Sequence, residues 1–107
     1  MKKSVAGVAA IAVAGALAVP AFASTKTVQV KDNKFVANTI TVSKGTTVKW
    51  VWKGKAPHDV TVTKGPAKFK SSVKTSGSFA KKLTKAGTYT IVCTIHAPDM
   101  KMTIKVK

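Results

Sequence analysis

Arginine and glutamate are absent from this 107-residue chain, cysteine occurs once, and the only acids are Asp32, Asp59 and Asp99. Each shortage excludes something. With Cys93 as the lone cysteine no internal disulfide can form, so the usual staple of small exported domains is missing. Without arginine or an aromatic stripe, and with lysines scattered rather than clustered, specific nucleic-acid readout is not expected. No apolar run is long enough to span a bilayer: Val5 to Val19 is fifteen residues of mostly Ala, Gly and Val, against the ~20 a spanning helix needs.

That short run follows Lys2 and Lys3 and leads to the small residues Ala21-Phe22-Ala23. A basic start, an apolar stretch and a small-residue end predict an export signal over residues 1–23, cleaved after Ala23. No cysteine lies near the junction, so lipid attachment there is excluded. The expected mature chain, residues 24–107, is a single small domain placed in the periplasm or outside the cell. The whole chain carries a net charge of +16, of which Lys2 and Lys3 account for two units, leaving +14 on the domain. Such a field favours anionic surfaces and acidic partners. A domain this small, without disulfides, gains from a bound metal as an alternative brace.

From Thr27 onward the apolar residues recur every second position, in TVQV, TITV, TVKWVW, HDVTVT, TYTIVC and MTIKV. Threonine and valine dominate, as on half-buried pleated surfaces. Breaks rich in glycine and lysine separate the runs, among them SKG, KGKAP, TKGPAK, KTSGS and TKAG. No stretch shows helical period. The expectation is an all-β fold of about seven short strands, a small antiparallel sandwich or barrel in one domain.

The period of two also assigns faces. Val48, Trp50 and Trp52 share the inward face of their strand, with Lys49 and Lys53 outward. His58 shares a face with Val60 and Val62, which turns Asp59 and Thr61 outward. Cys93 shares one with Tyr89 and Ile91. His58 and Cys93 are thus expected to project inward at strand ends, where a sandwich can bring them together. The chain's two histidines, its one cysteine and Met100 then form a candidate set: His58, Cys93, His96 and Met100. A thiolate, two imidazoles and a distant thioether suit both Cu(I), which favours soft sulfur, and Cu(II), which favours nitrogen. Each residue also has a plainer reading. A lone buried cysteine is usually inert packing, a strand-end histidine often only a hydrogen-bonded core residue, and a methionine core filler. Met102 competes with Met100 as the axial donor, but it shares a face with Ile104 and Val106, which makes it core.

The segment GTYTIVCTIHAPDMKMTIKV resembles the C-terminal signature of the cupredoxins, small blue copper proteins of the plastocyanin and amicyanin kind. TITVSKGTTVKWVWKGKAPHDVTV resembles their middle segment, with its G-x-x-V-x-W strand and Pro-His ligand loop. The resemblance covers nearly all of residues 24–107. It implies a Greek-key β-sandwich with one type 1 copper at one end, held by His58, Cys93, His96 and Met100. It also implies that Asp59, where many relatives have Asn, ties the ligand loops together. An ionised aspartate can accept from Thr94 but has no proton to donate.

Four ligands leave no open position for substrate, so the resemblance points to a one-electron carrier and not an enzyme. The expected partner is an acidic redox protein, met by a monomer at a small apolar patch of Ala56, Pro57, Ala97 and Pro98 beside His96. Lys55 and Lys101 are expected near that patch, Lys74 and Lys81 away from it. The alternative is a protein that stores or delivers copper, which would require an exchangeable site.

Overall fold

The computed structural model describes residues 24–107; the expected signal segment, residues 1–23, lies outside the described residues. Eight strands form among the described residues: β1 (Thr25–Lys31), β2 (Lys34–Val36), β3 (Thr39–Val42), β4 (Thr47–Trp52), β5 (Thr61–Lys64), β6 (Ser78–Lys82), β7 (Gly87–Val92) and β8 (Lys101–Val106). No helix occurs among the described residues. One sheet has the order β2-β1-β4-β6 and the other β3-β8-β7-β5.

The sheets are mixed, not wholly antiparallel as the run of short strands predicted. β1 pairs with β4, and β3 with β8, in parallel. Alternation specifies which face a residue takes but says nothing about the direction of the neighbour. Here β3 crosses to the second sheet and β4 returns to the first, so β4 arrives beside β1 in the same sense.

The alternating residues meet between the sheets. Val28, Val30, Val48, Trp50 and Trp52 from the first pack over Ile40, Val42, Tyr89, Ile91, Met102, Ile104 and Val106 from the second. Trp50 is fully buried, its indole N–H directed at Met102 Sδ at 3.4 Å, with the rings of Phe69 and Phe79 at 6.0 and 5.8 Å. The Tyr89 hydroxyl donates to the Lys85 carbonyl at 2.9 Å and fixes the corner that leads into β7. Both tryptophans and Met102 therefore lie in the core, as their parity predicts.

The run HDVTVT is a strand only from Thr61. His58 makes an isolated bridge with Lys74, exchanging backbone hydrogen bonds of 2.9 Å in both directions. With no regular pleat before Thr61, alternation fails there, and His58, Asp59 and Val60 are all buried in succession. Asp59 is thus buried and not open to solvent as the pattern predicts, although it keeps the side of Thr61, whose hydroxyl donates to it, and is covered there by Thr94.

Candidate metal centre

Two segments supply the site. The first, Lys53 to Val60, leaves β4 and is held from both sides. Trp52 Nε1 donates to the His58 carbonyl at 3.2 Å, and the Val60 N–H donates to Ser71 Oγ at 2.9 Å. Pro57 fixes its own φ and holds Ala56, the residue before it, extended, which stiffens the approach to His58. The second segment is the loop from Cys93 to Met100. It closes on itself: the Cys93 N–H donates to the Met100 carbonyl at 3.0 Å, the His96 N–H to the Cys93 carbonyl at 3.2 Å, and the Met100 N–H to the His96 carbonyl at 3.3 Å. A loop tied at both ends presents its side chains from a fixed frame.

His58, Cys93 and His96 come together, with one donor atom from each inside a 4.8 Å group. Cys93 Sγ lies 3.8 Å from His58 Nδ1 and 3.4 Å from His96 Nδ1. His58 and Cys93 are fully buried and His96 is half-buried. Met100 is fully buried at the far end of the loop, its backbone bonded to those of Cys93 and His96. Met102, the rival sulfur, is instead engaged by Trp50. A thiolate with two imidazole nitrogens is a soft and borderline donor set, suited to copper or zinc and unsuited to magnesium or calcium, which prefer oxygen. No carboxylate belongs to the group.

Two aspartates stand behind the donors. Asp59 accepts from the Thr94 N–H at 2.6 Å, from the Thr94 hydroxyl at 2.7 Å and from the Thr61 hydroxyl at 3.2 Å. Its carboxylate joins the segment carrying His58 to the residue after Cys93. Burial pushes this carboxyl up, but the bonds from Thr94 and Thr61 outweigh it and hold it below the ordinary value. Asp32, in the turn between β1 and β2, was not singled out by any motif. Its Oδ1 lies 3.0 Å from His58 Nε2, and its carboxylate also accepts from the backbone N–H groups of Lys55, at 3.1 Å, and Ala56, at 3.0 Å. The Lys55 N–H, the His58 ring and the Ala56 N–H hold its carboxyl at about 2, against an ordinary 3.8.

Around the His96 edge the surface is apolar. Pro57, Ala97 and Pro98 are exposed, Ala56 is half-buried, and Ile95, which the pattern did not single out, is 46% exposed.

The family model of copper binding proteins of the plastocyanin/azurin family matches residues 23–107. No curated protein sequence matches the chain. Among solved structures, the reduced state of an amicyanin mutant superposes with a TM-score of 0.69 at 29% identity, over 78% of this chain and 82% of that one. The Cu(I) form of another amicyanin mutant gives 0.70 at 30% identity, over 78% and 83%. A Cu-containing nitrite reductase from Thermus scotoductus SA-01 gives 0.68 at 29% identity over 78% of this chain but only 22% of its own. Matched from Ala23 to its last residue, the chain belongs to the plastocyanin/azurin family of copper-binding proteins, and a single type 1 copper is its cofactor.

Proposed function

We propose that this protein is an exported one-electron carrier whose copper is held by His58, Cys93 and His96, with Met100 as the weak axial fourth. The observation that carries the reading is the convergence of Cys93 Sγ with two Nδ1 atoms, one of them from a residue 35 positions upstream. Inert packing needs no such meeting of the chain's only thiol with both of its imidazoles. Copper supplies the one-electron change between Cu(I) and Cu(II); the protein supplies a frame that suits both. Backbone bonds close the Cys93–Met100 loop, and Asp59 locks that loop to the segment bearing His58, so little rearranges when charge changes. Four protein donors leave no place for a substrate, which favours a carrier over an enzyme. The nitrite reductase neighbour is a much longer chain, of which this one spans about a fifth.

Electrons would cross at the half-buried His96, through the patch of Pro57, Ile95, Ala97 and Pro98. The partner fitting a domain of this charge is an acidic redox protein, met by a monomer in the periplasm or outside the cell after loss of residues 1–23. Adding Cu(II) to the copper-free protein tests the reading. Intense thiolate-to-copper absorption is expected, lost in Cys93→Ala, altered in Met100→Leu and nearly unchanged in Met102→Leu. Colour that survives Cys93→Ala would overturn the copper assignment, and colour that responds to Met102→Leu but not Met100→Leu would transfer the axial role.

A further inference from the structure

The two histidines of the centre are held differently. His96 has its ring beside Cys93 and no hydrogen-bond partner at its other nitrogen among the described residues. His58 is fully buried, and its Nε2 is engaged by Asp32 Oδ1 at 3.0 Å. An ionised carboxylate only accepts, so Nε2 carries the proton and the Nδ1 lone pair is left facing Cys93 Sγ. The same carboxylate takes the N–H groups of Lys55 and Ala56, three and two residues before His58, and so holds the segment as well as the ring.

Room for this carboxylate is built into the chain. A side chain at Gly54 would run into Asp32 Oδ1 and Cγ and come within 2.8 Å of the Asp32 backbone nitrogen. The approach follows from strand register: Val30 pairs with Trp52, and the Lys53 N–H donates to the Val30 carbonyl at 2.8 Å, so the turn after β1 meets the loop after β4.

We propose that Asp32 is a positioning residue of the copper centre, fixing the tautomer and orientation of His58 and lowering the reduction potential, with Gly54 providing the space it occupies. The proposal rests on the copper reading above. A metal-bound imidazole that donates to a carboxylate is more basic and better oriented, and losing such a partner typically costs 10–100-fold in metal affinity. The added negative charge favours Cu(II) over Cu(I).

Three variants separate the contributions. Asp32→Asn keeps an acceptor and removes the charge, Asp32→Ala removes both, and Gly54→Ala displaces the carboxylate without removing it. The reduction potential is expected to rise in all three, for Asp32→Ala by roughly tenfold in relative Cu(II) affinity, or ~59 mV for one electron. Gly54→Ala should add little in the Asp32→Ala background. Nitrogen-15 NMR of the His58 ring in the copper-free protein gives a reading independent of the metal. The Nε2–H tautomer should persist in wild type and Asp32→Asn and give way to a mixture in Asp32→Ala. Unchanged potentials, or an unchanged tautomer in Asp32→Ala, would overturn the proposal. A wild type that takes no copper would instead defeat the functional reading, while the tautomer measurement would still judge the role of Asp32.

Discussion

Asp59 is caught between burial, which pushes its carboxyl up, and three hydrogen bonds from Thr94 and Thr61 that hold it down. The bonds win, so folding favours the ionised form. Asp32 behaves likewise, at about 2, through the Lys55 N–H first and the His58 ring next. A carboxyl whose folded pKa lies below its unfolded 3.8 stabilises the fold fully above that value and loses its effect as pH falls through the folded one. Asp99 is the only other acidic side chain, so these two groups dominate the acid limb of stability. The urea midpoint of the copper-free protein should hold steady down to about pH 4 and then fall toward pH 2. Asp59→Asn and Asp32→Asn should each flatten that fall, and the double variant most. An equally steep fall in the double variant would show that other groups govern acid unfolding.

Trp50 is the clearest product of strand parity. It is fully buried, between Phe69 and Phe79 and under Met102, whereas Val51, the next residue, faces outward and is half-buried. Replacing Trp50 with Ala should cost about 3–5 kcal/mol, a large share of the roughly 4–13 kcal/mol expected for a domain of this size. Val51→Ala should cost far less, about 1 kcal/mol or below, and urea unfolding of copper-free protein compares them. Equal losses would mean that the two faces are not packed as differently as their exposure implies. The six alternating runs in the sequence each contain a strand, because a core on one side of a sheet demands period two. β2 and β6 were not legible: each has a single phenylalanine among lysines and small residues, and each lies at a sheet edge. Such strands are specified by the open hydrogen-bonding side of β1 or β4 more than by their own pattern. The meeting of His58, Cys93 and His96 was legible because these residue types are scarce and the last two stand close together on one loop. Parity puts Asp59 on the side of Thr61 but cannot foresee its burial, which depends on Thr94 closing over it from the other segment. Asp32 left no mark in the sequence, since its tie to His58 depends on the β1–β4 register.

All three acids lie toward the copper end: Asp32 on His58, Asp59 on Thr94, and Asp99 in the ligand loop. At the opposite end, where the Lys44 N–H donates to the Lys107 carbonyl and the Gly45 N–H to the Leu83 carbonyl, lysines stand without any acidic side chain. The far end is therefore the more positive, although the domain as a whole carries +14 once Lys2 and Lys3 are set aside from the chain's +16. For an acidic partner the total charge acts at long range, while at contact only lysines within about a Debye length, ~8 Å at physiological salt, still count. Lys55 and Lys101 flank the ligand loops, and Lys74 joins them: its backbone is bonded to that of His58, so it belongs to the copper end and not to the remote surface. The transfer rate to an acidic partner should accordingly fall steeply with ionic strength, since steering raises on-rates by ~10 to 10³-fold and is screened by salt. Lys55→Gln and Lys101→Gln should slow transfer more than Lys85→Gln, although each removes one unit of charge. Stopped-flow rates across a salt series, with an acidic and a basic partner, make the comparison. Equal slowing by all three variants would mean that net charge alone sets the encounter, and rates indifferent to salt would leave the lysines as a solubilising surface with no part in docking.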